Sequence, residues 1–162
     1  MSSITPCLWF DDDLGEAVDF YTSVFPDGEV HHVTRYGDSG PGEPGSMMAA
    51  EWTVNALRFK GVNGGPDHAG FSETISFAVD CADQAEVDRY WAALTADGGE
   101  ESMCGWLRDR FGLCWQVVPV RLYELLTDPD PGRARAAAGA MFTMRRLVVA
   151  DLEAAADAVV AG

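Results

Sequence analysis

Basic residues are scarce in this chain: 11 Lys and Arg stand against 26 Asp and Glu, for a formal net charge of -15. Nucleic acids and anionic membranes both need a basic surface to meet their phosphates, so neither is an expected partner. The four cysteines, Cys7, Cys81, Cys104 and Cys114, form no CxxC pair, and no His lies near any of them in sequence. A zinc site is therefore not expected. The N-terminus lacks a basic region and an apolar run, so no signal peptide is expected ahead of Ile4. No apolar stretch approaches the ~20 residues needed to cross a bilayer. The setting these absences describe is a reducing cytoplasm with free thiols, where the negative charge serves solubility.

What is present is a patterned chain of 162 residues, 48% hydrophobic, enough for a sizeable core. Ile4 to Phe10 reads as a strand, and Asp11-Asp12-Asp13 breaks it. A helix follows with Leu14, Ala17, Val18, Tyr21, Val24 and Phe25 on one face, Asp13 as its N-cap and Glu16 completing a capping box. Pro26-Asp27-Gly28 ends it. Three strand-like runs follow: Val30 to Tyr36, Met47 to Val54 and Ala56 to Val62, with a Gly- and Pro-rich loop after the first and a tight turn at Val54-Asn55. Asn63-Gly64-Gly65-Pro66 closes the unit.

The pattern then restarts. Thr74 to Asp80 alternates as a strand, and Asp83 caps a helix with the stripe Val87, Tyr90, Trp91 and Leu94. Short strands follow around Met103 to Leu107 and Cys114 to Val118, joined through Asp109-Arg110-Phe111-Gly112. The two helix caps lie seventy residues apart, as a repeated βαβββ unit requires. After Pro119 come helix formers: Leu122, Leu125 and Leu126, then Arg133 to Met144, then a last helix capped by Asp151. This reading divides the chain into modules at 1–66 and 67–120 and a helical extension at 121–162.

Several stretches carry a resemblance. They are Pro6-Cys7-Leu8-Trp9-Phe10, Ala17-Val18-Asp19-Phe20-Tyr21, Asn63-Gly64-Gly65-Pro66, Cys104-Gly105-Trp106-Leu107-Arg108-Asp109, Trp115-Gln116-Val117-Val118-Pro119 and Glu124-Leu125-Leu126-Thr127-Asp128-Pro129-Asp130-Pro131. Together they resemble the PhnB-like family, also called the 3-demethylubiquinone-9 3-methyltransferase domain, of the vicinal-oxygen-chelate superfold that includes glyoxalases, bleomycin resistance proteins and extradiol dioxygenases. The resemblance implies an α+β fold of paired βαβββ modules, their mixed sheets curled around a cavity, and a homodimer. In metal enzymes of that superfold, His or Glu ligands come from the first and last strand of each module. The matching positions here are Thr5 (or Pro6), Phe59, Thr74 and Gln116, which make no ordinary set for a divalent ion. His31 and His32 are neighbours in a strand and point to opposite faces; His68 lies in a loop. No metal and no cofactor is expected.

Strand alternation nominates the residues that would line the cavity. Thr5, Cys7 and Trp9 come from the first strand, Phe59 and Asn63 from the fourth. Thr74 and Ser76 come from the first strand of the second module, with Cys104, Trp106, Cys114 and Gln116 beyond. Aromatic walls with a few neutral polar groups suit an uncharged or modestly polar small molecule. Each residue also has a plainer use. Trp9 and Trp106 serve equally as core, Asn63 as a turn residue, Gln116 as a partner for buried backbone, and Cys104 as an inert thiol. Four functions stay open: a metal-free small-molecule binder, a metal-independent enzyme using Cys, Gln or Tyr, a methyltransferase, or a structural dimer module. The third lacks a glycine-rich turn between a parallel strand and a helix. For the dimer, Leu125, Leu126, Met141, Met144, Leu147 and Leu152 are expected to contribute, either against a second chain or against the chain's own sheet.

Overall fold

A computed structural model describes residues 3–67 and 70–159. They fall into two compact units that divide between Gly70 and Phe71. The first unit runs β1 (Cys7–Phe10), α1 (Leu14–Val24), β2 (Glu29–Arg35), β3 (Met47–Val54) and β4 (Leu57–Asn63). Its strands lie in the order β1-β4-β3-β2, with only β1 and β4 parallel. The second unit begins with β5 (Phe77–Cys81), α2 (Gln84–Thr95), β6 (Glu100–Glu101), β7 (Trp106–Arg108) and β8 (Cys114–Pro119). Its order is β5-β8-β7-β6, again with one parallel pair, β5 and β8. The chain thus adopts the expected α+β fold, two βαβββ units each with a four-stranded mixed sheet. His68 lies outside the described residues.

One helix covers one face of each sheet. Under α1 lie Leu8 and Phe10 of β1, Ala50, Trp52 and Val54 of β3, and Phe59 of β4, all nearly inaccessible. Trp52 stacks between Tyr21 and Phe59, with ring centroids 6.4 and 5.6 Å away. Each such ring contributes about 2–3 kcal/mol by burial. Gly61 allows α1 to come this close, since a Cβ there would stand 2.5 Å from Leu14 Cδ1. Under α2 lie Val79, Cys81, Leu107, Trp115 and Val117.

The boundaries differ from the sequence expectation in instructive ways. The first strand starts at Cys7, leaving Ile4 fully exposed. The β3–β4 turn sits on Asn55 and Ala56, both left-handed, with φ of 47° and 61°. The Asp27 carboxylate takes both of their N–H groups at 2.7 Å. β5 starts at Phe77, so Thr74 and Ile75 precede it, and Ile75 points to solvent rather than to α2. α5 starts at Val149, which puts Asp151 in its first turn and not at its cap.

The extension forms α3 (Val120–Leu126), α4 (Pro131–Met141) and α5 (Val149–Ala158). Leu122, Leu125, Leu147, Leu152, Ala137 and Ala156 close a small core on Val118 of β8, with Met141 and Met144 against its side. Of the two readings of this apolar set, the one within the chain accounts for all of it except Leu126, which is partly exposed. Gln84 ties the extension to α2 by donating to Leu147 O at 3.1 Å and accepting Val149 N at 2.8 Å.

Among the described residues Asp109 is the one buried charged side chain, 2% exposed in the β7–β8 turn. Its Oδ1 accepts Phe111 N and Leu113 N, and its Oδ2 accepts Trp115 Nε1, at 2.9, 3.0 and 2.8 Å. Truncation would leave three donors without this acceptor, at a cost of about 3 kcal/mol. Urea unfolding of Asp109→Ala is expected to show that loss, with Asp109→Asn intermediate. A cost below about 1 kcal/mol would refute this account of the turn.

Candidate ligand-binding faces

Each sheet has a second face that its own helix leaves uncovered. In the first unit this face carries Cys7 and Trp9 of β1, Arg58, Lys60 and Val62 of β4, and Ala49, Glu51 and Thr53 of β3. Its centre is ionic. Glu51 accepts from Arg58 Nη2 at 2.6 Å and lies 3.1 Å from Lys60 Nζ. The Lys60 ammonium, with Arg58 beside it, holds the Glu51 carboxyl below the usual carboxylate range. His31 Nε2 lies 2.7 Å from Thr53 Oγ1 at the far strand.

Phe59 is not on this face. It faces α1 with Trp52, one residue out of step with the expected cavity lining, because the β4 alternation places 59, 61 and 63 under the helix. Thr5 precedes β1 and is half-buried.

Asn63 is likewise turned to the helix side, where it does the work expected of Asp13. Its Oδ1 accepts Leu14 N at 3.0 Å, and its Nδ2 donates to Met47 O at 2.9 Å and Asp12 O at 3.3 Å. Its backbone carbonyl accepts Tyr36 OH at 2.6 Å. Asp13 makes no side-chain cap bond. Burial raises the Asp13 carboxyl above its ordinary value, and Asp12, Glu16 and Asp11 push it the same way.

Trp9 lies against the next residue. Its Nε1 donates to Gly65 O at 2.9 Å, and a Cβ on Gly64 would stand 2.0 Å from Trp9 Cζ2. The Asn63-Gly64-Gly65 run is thus read out by two side chains, one on each side of the sheet end. A cleft of about 430 Å³ opens here, between Asp11, Asp12, Gly64 and Gly65 on one side and Pro41, Gly42, Glu43 and Ser46 on the other.

In the second unit the uncovered face carries Trp106 and Arg108 of β7, Cys114, Gln116 and Val118 of β8, and Ala78 and Asp80 of β5. Val118 is sealed by the extension, and Tyr123 OH donates to Asp80 Oδ1 at 3.1 Å. Trp106, Arg108 and Cys114 line a groove of about 330 Å³ together with Glu73, Glu100 and Glu101. Arg108 reaches Glu73 Oε1 at 3.4 Å and Glu100 Oε2 at 3.6 Å. Hydrogen bonding to the Cys114 thiol, then the Glu100 charge, raises its already high pKa further. Gln116 Nε2 donates to Ser76 Oγ at 2.9 Å.

Of the expected cavity residues, the structure therefore gathers Trp106, Cys114, Gln116 and Ser76 in one place, and Cys7 and Trp9 in another. Thr74 is exposed and shares a 2.7 Å hydrogen bond with Ser72. Cys104 sits in a left-handed turn (φ 59°), its N–H donating to Met144 O at 2.7 Å, where it anchors the extension. Arg108 escaped the sequence reading; its place two residues after Trp106 was the available signal. Cys81 is no candidate, since burial pushes its thiol up to about 12.

A divalent metal is a poor match for either face. Among the described residues no three His, Cys, Asp or Glu side chains converge. On the first face the central carboxylate is already held by two cations. The donors do not fit a divalent ion, so no chemistry is routed through one.

The profile of the 3-demethylubiquinone-9 3-methyltransferase family matches residues 2–118. The chain belongs to this family. The family match ends just before α3, so the extension lies outside it. The PhnB protein of Bacillus cereus, which carries the same family description, is 31% identical, with a TM-score of 0.67 over 73% of this chain and 99% of that one. Protein PA1353 from Pseudomonas aeruginosa is 25% identical, with a TM-score of 0.62 over 74% and 98%. A variant of the fosfomycin resistance protein FosX from Listeria monocytogenes, complexed with Mn(II) and a dihydroxypropylphosphonic acid, shares the fold alone at 17% identity and a TM-score of 0.52, over 73% and 92%. The paired βαβββ units are thus a fold that this chain shares with both the PhnB protein and FosX. No curated protein matches the chain. No described helix is long and apolar enough to cross a membrane.

Two results are expected at the first unit. Gly64→Ala will drive the Trp9 indole off its seat and cost about 1–3 kcal/mol in chemical denaturation, and the cost will largely vanish in a Trp9→Ala background. Equal costs in the two backgrounds would disprove the contact. Asp13 supplies a pH test. Its folded pKa is raised, so its charged form lowers stability at neutral pH, and protonation restores that stability as pH falls through the folded pKa. Asp13→Asn is expected to be more stable than the parent at pH 7, with the gain fading into the acid range. A variant less stable than the parent at pH 7 would contradict this.

Proposed function

We propose that the chain binds a small organic molecule in the groove on the uncovered face of the second sheet, using its own side chains and no metal ion. The observation that carries this reading is the convergence of Trp106, Arg108 and Cys114 on one groove of about 330 Å³, with Gln116 paired to Trp106 on the same face. Trp106 offers a flat apolar surface, Gln116 and Ser76 offer neutral donors and acceptors, and Arg108 offers a planar fork. Glu73 and Glu100 beside Arg108 offset its charge, which favours an uncharged or modestly polar ligand over a strong anion.

A second reading, a metal-independent enzyme, rests on Cys114 standing directly opposite Arg108 in the β7–β8 pair. Cys114 is 2% exposed, which favours binding over attack on a substrate. The methyltransferase in the family description gains no support from the strand-to-helix turns, which are Asp11-Asp12-Asp13 in one unit and Ala82-Asp83 in the other. Neither is the glycine-rich turn at which such enzymes usually hold S-adenosylmethionine. FosX is described with Mn(II), for which the donors here do not fit. Our reading places the protein in the cytoplasm as a homodimer, its support being the sheet edges rather than the extension.

The test is a metabolite screen by thermal shift and native mass spectrometry on protein kept in chelator. At least one neutral or modestly polar compound is expected to raise the melting temperature by several degrees, and Trp106→Ala and Gln116→Ala each to weaken its binding about tenfold. Ligands that bind both variants equally, or only after metal loading, would sink the proposal. Light scattering on the same samples reports the assembly, and monomer mass at low micromolar concentration would remove the dimer.

A further inference from the structure

The loop between β2 and β3 is rich in glycine and proline: Gly37, Gly40, Pro41, Gly42, Pro44 and Gly45. Such composition usually gives a loosely held connection. Here the segment is instead wrapped around one ring. A Cβ on Gly42 would stand 2.3 Å from Tyr36 Cδ2, and one on Gly40 would stand 2.9 Å from Tyr36 Cδ1, so both glycines lie flat against the tyrosine. The remaining ties are local. Tyr36 and Ser46 share a bond from Tyr36 N to Ser46 O at 3.0 Å, Gly45 N donates to Tyr36 O at 2.8 Å, and Arg35 Nη1 donates to Gly45 O at 3.0 Å. Among the described residues, every hydrogen bond of residues 37–46 stays within the segment or goes to Arg35 and Tyr36.

The segment forms one wall of the 430 Å³ cleft at the carboxyl ends of the parallel strands β1 and β4. The opposite wall belongs to Asp11, Asp12, Gly64 and Gly65. The bond that spans the cleft is Tyr36 OH to Asn63 O, 2.6 Å long and partly buried. A wall that is otherwise tied only to its own stems, and joined across the opening by one side chain, can swing without disturbing the sheet.

We propose that residues 37–46 form a strap over this cleft and that Tyr36 is its latch. Closed, the ring holds Gly40 and Gly42 while its hydroxyl holds Asn63. With the hydroxyl bond broken, the ring and strap leave together and Met47, a half-buried residue lining the cleft, opens further to solvent. This gate lies in the first unit and does not depend on ligand binding in the second.

Two variants test it in the full chain. Tyr36→Phe removes the bond to Asn63 O and keeps the ring. Gly42→Ala pushes the segment off the ring and keeps the hydroxyl. In hydrogen–deuterium exchange, the amides of Gly45 and Ser46 are expected to lose about tenfold protection in each variant, with those of Trp52 and Phe59 unchanged. Oxidation by dilute peroxide gives a second reading by mass spectrometry. The Met47 rate should rise several-fold in both variants while Met103, already exposed in the second unit, serves as the unchanged reference. An unaltered Met47 rate and unaltered strap exchange in Tyr36→Phe would overturn the latch. Loss of protection spread equally into Trp52 and Phe59 would overturn it too, since Tyr36 would then be a general support of the fold.

Discussion

A four-stranded sheet with a single helix can bury one face only, and much of this protein follows from that constraint. The covered faces are spent on stability: Trp52 between Tyr21 and Phe59 in one unit, Trp115, Val117 and Leu107 in the other. Chemistry is left to the uncovered faces and to the strand ends, where side chains are not needed by the core. The first unit fills the middle of its free face with Glu51, Arg58 and Lys60, three charges that satisfy one another. The second leaves a groove with Trp106 and Arg108 in its wall. The two faces descend from the same strand order but present different chemistry.

The helix starts show how far sequence carried the fold. Asp13 and Asp83 stand in the same pattern, each three residues before a Glu. At Asp83 the local rule holds: its carboxylate accepts Glu86 N at 2.9 Å, and Glu86 returns a bond to Ala82 N. At Asp13 it fails, because Asn63 arrives from β4 and accepts Leu14 N first. A residue forty-nine positions away from the helix start cannot be seen in a cap motif. Asn63 was legible as important from its place before two glycines, but not as the residue that joins α1, β1, β3 and the Tyr36 hydroxyl.

Element order, the repeat and the apolar stripes were all readable, since periodicity reports burial directly. The parity of individual strands was less so. Phe59 looked like a cavity residue because β4 has no clean alternation in sequence: Leu57, Phe59 and Val62 are all apolar, and Gly61 hides which side the helix occupies. Thr74 failed for a different reason. The run from Thr74 to Asp80 alternates, but its first three residues have no neighbour to pair with, and β5 begins at Phe77 where Trp115 stands opposite. Cys104, nominated for the cavity, lies instead in a left-handed turn whose backbone holds the extension.

That extension bears on how the second face can be used. The family match stops at residue 118, and α3 starts two residues later. Val118 lies on the same side of β8 as Cys114 and Gln116, so the small core built on it lands on the uncovered face and closes one end. Tyr123 reinforces the seal by donating to Asp80, the outward residue of the neighbouring strand. What remains open is the end formed by β6, β7 and the start of β8. The extension therefore shortens the open part of the second face to the stretch beside Trp106 and Arg108, and the apolar residues it uses for this are those of its own small core.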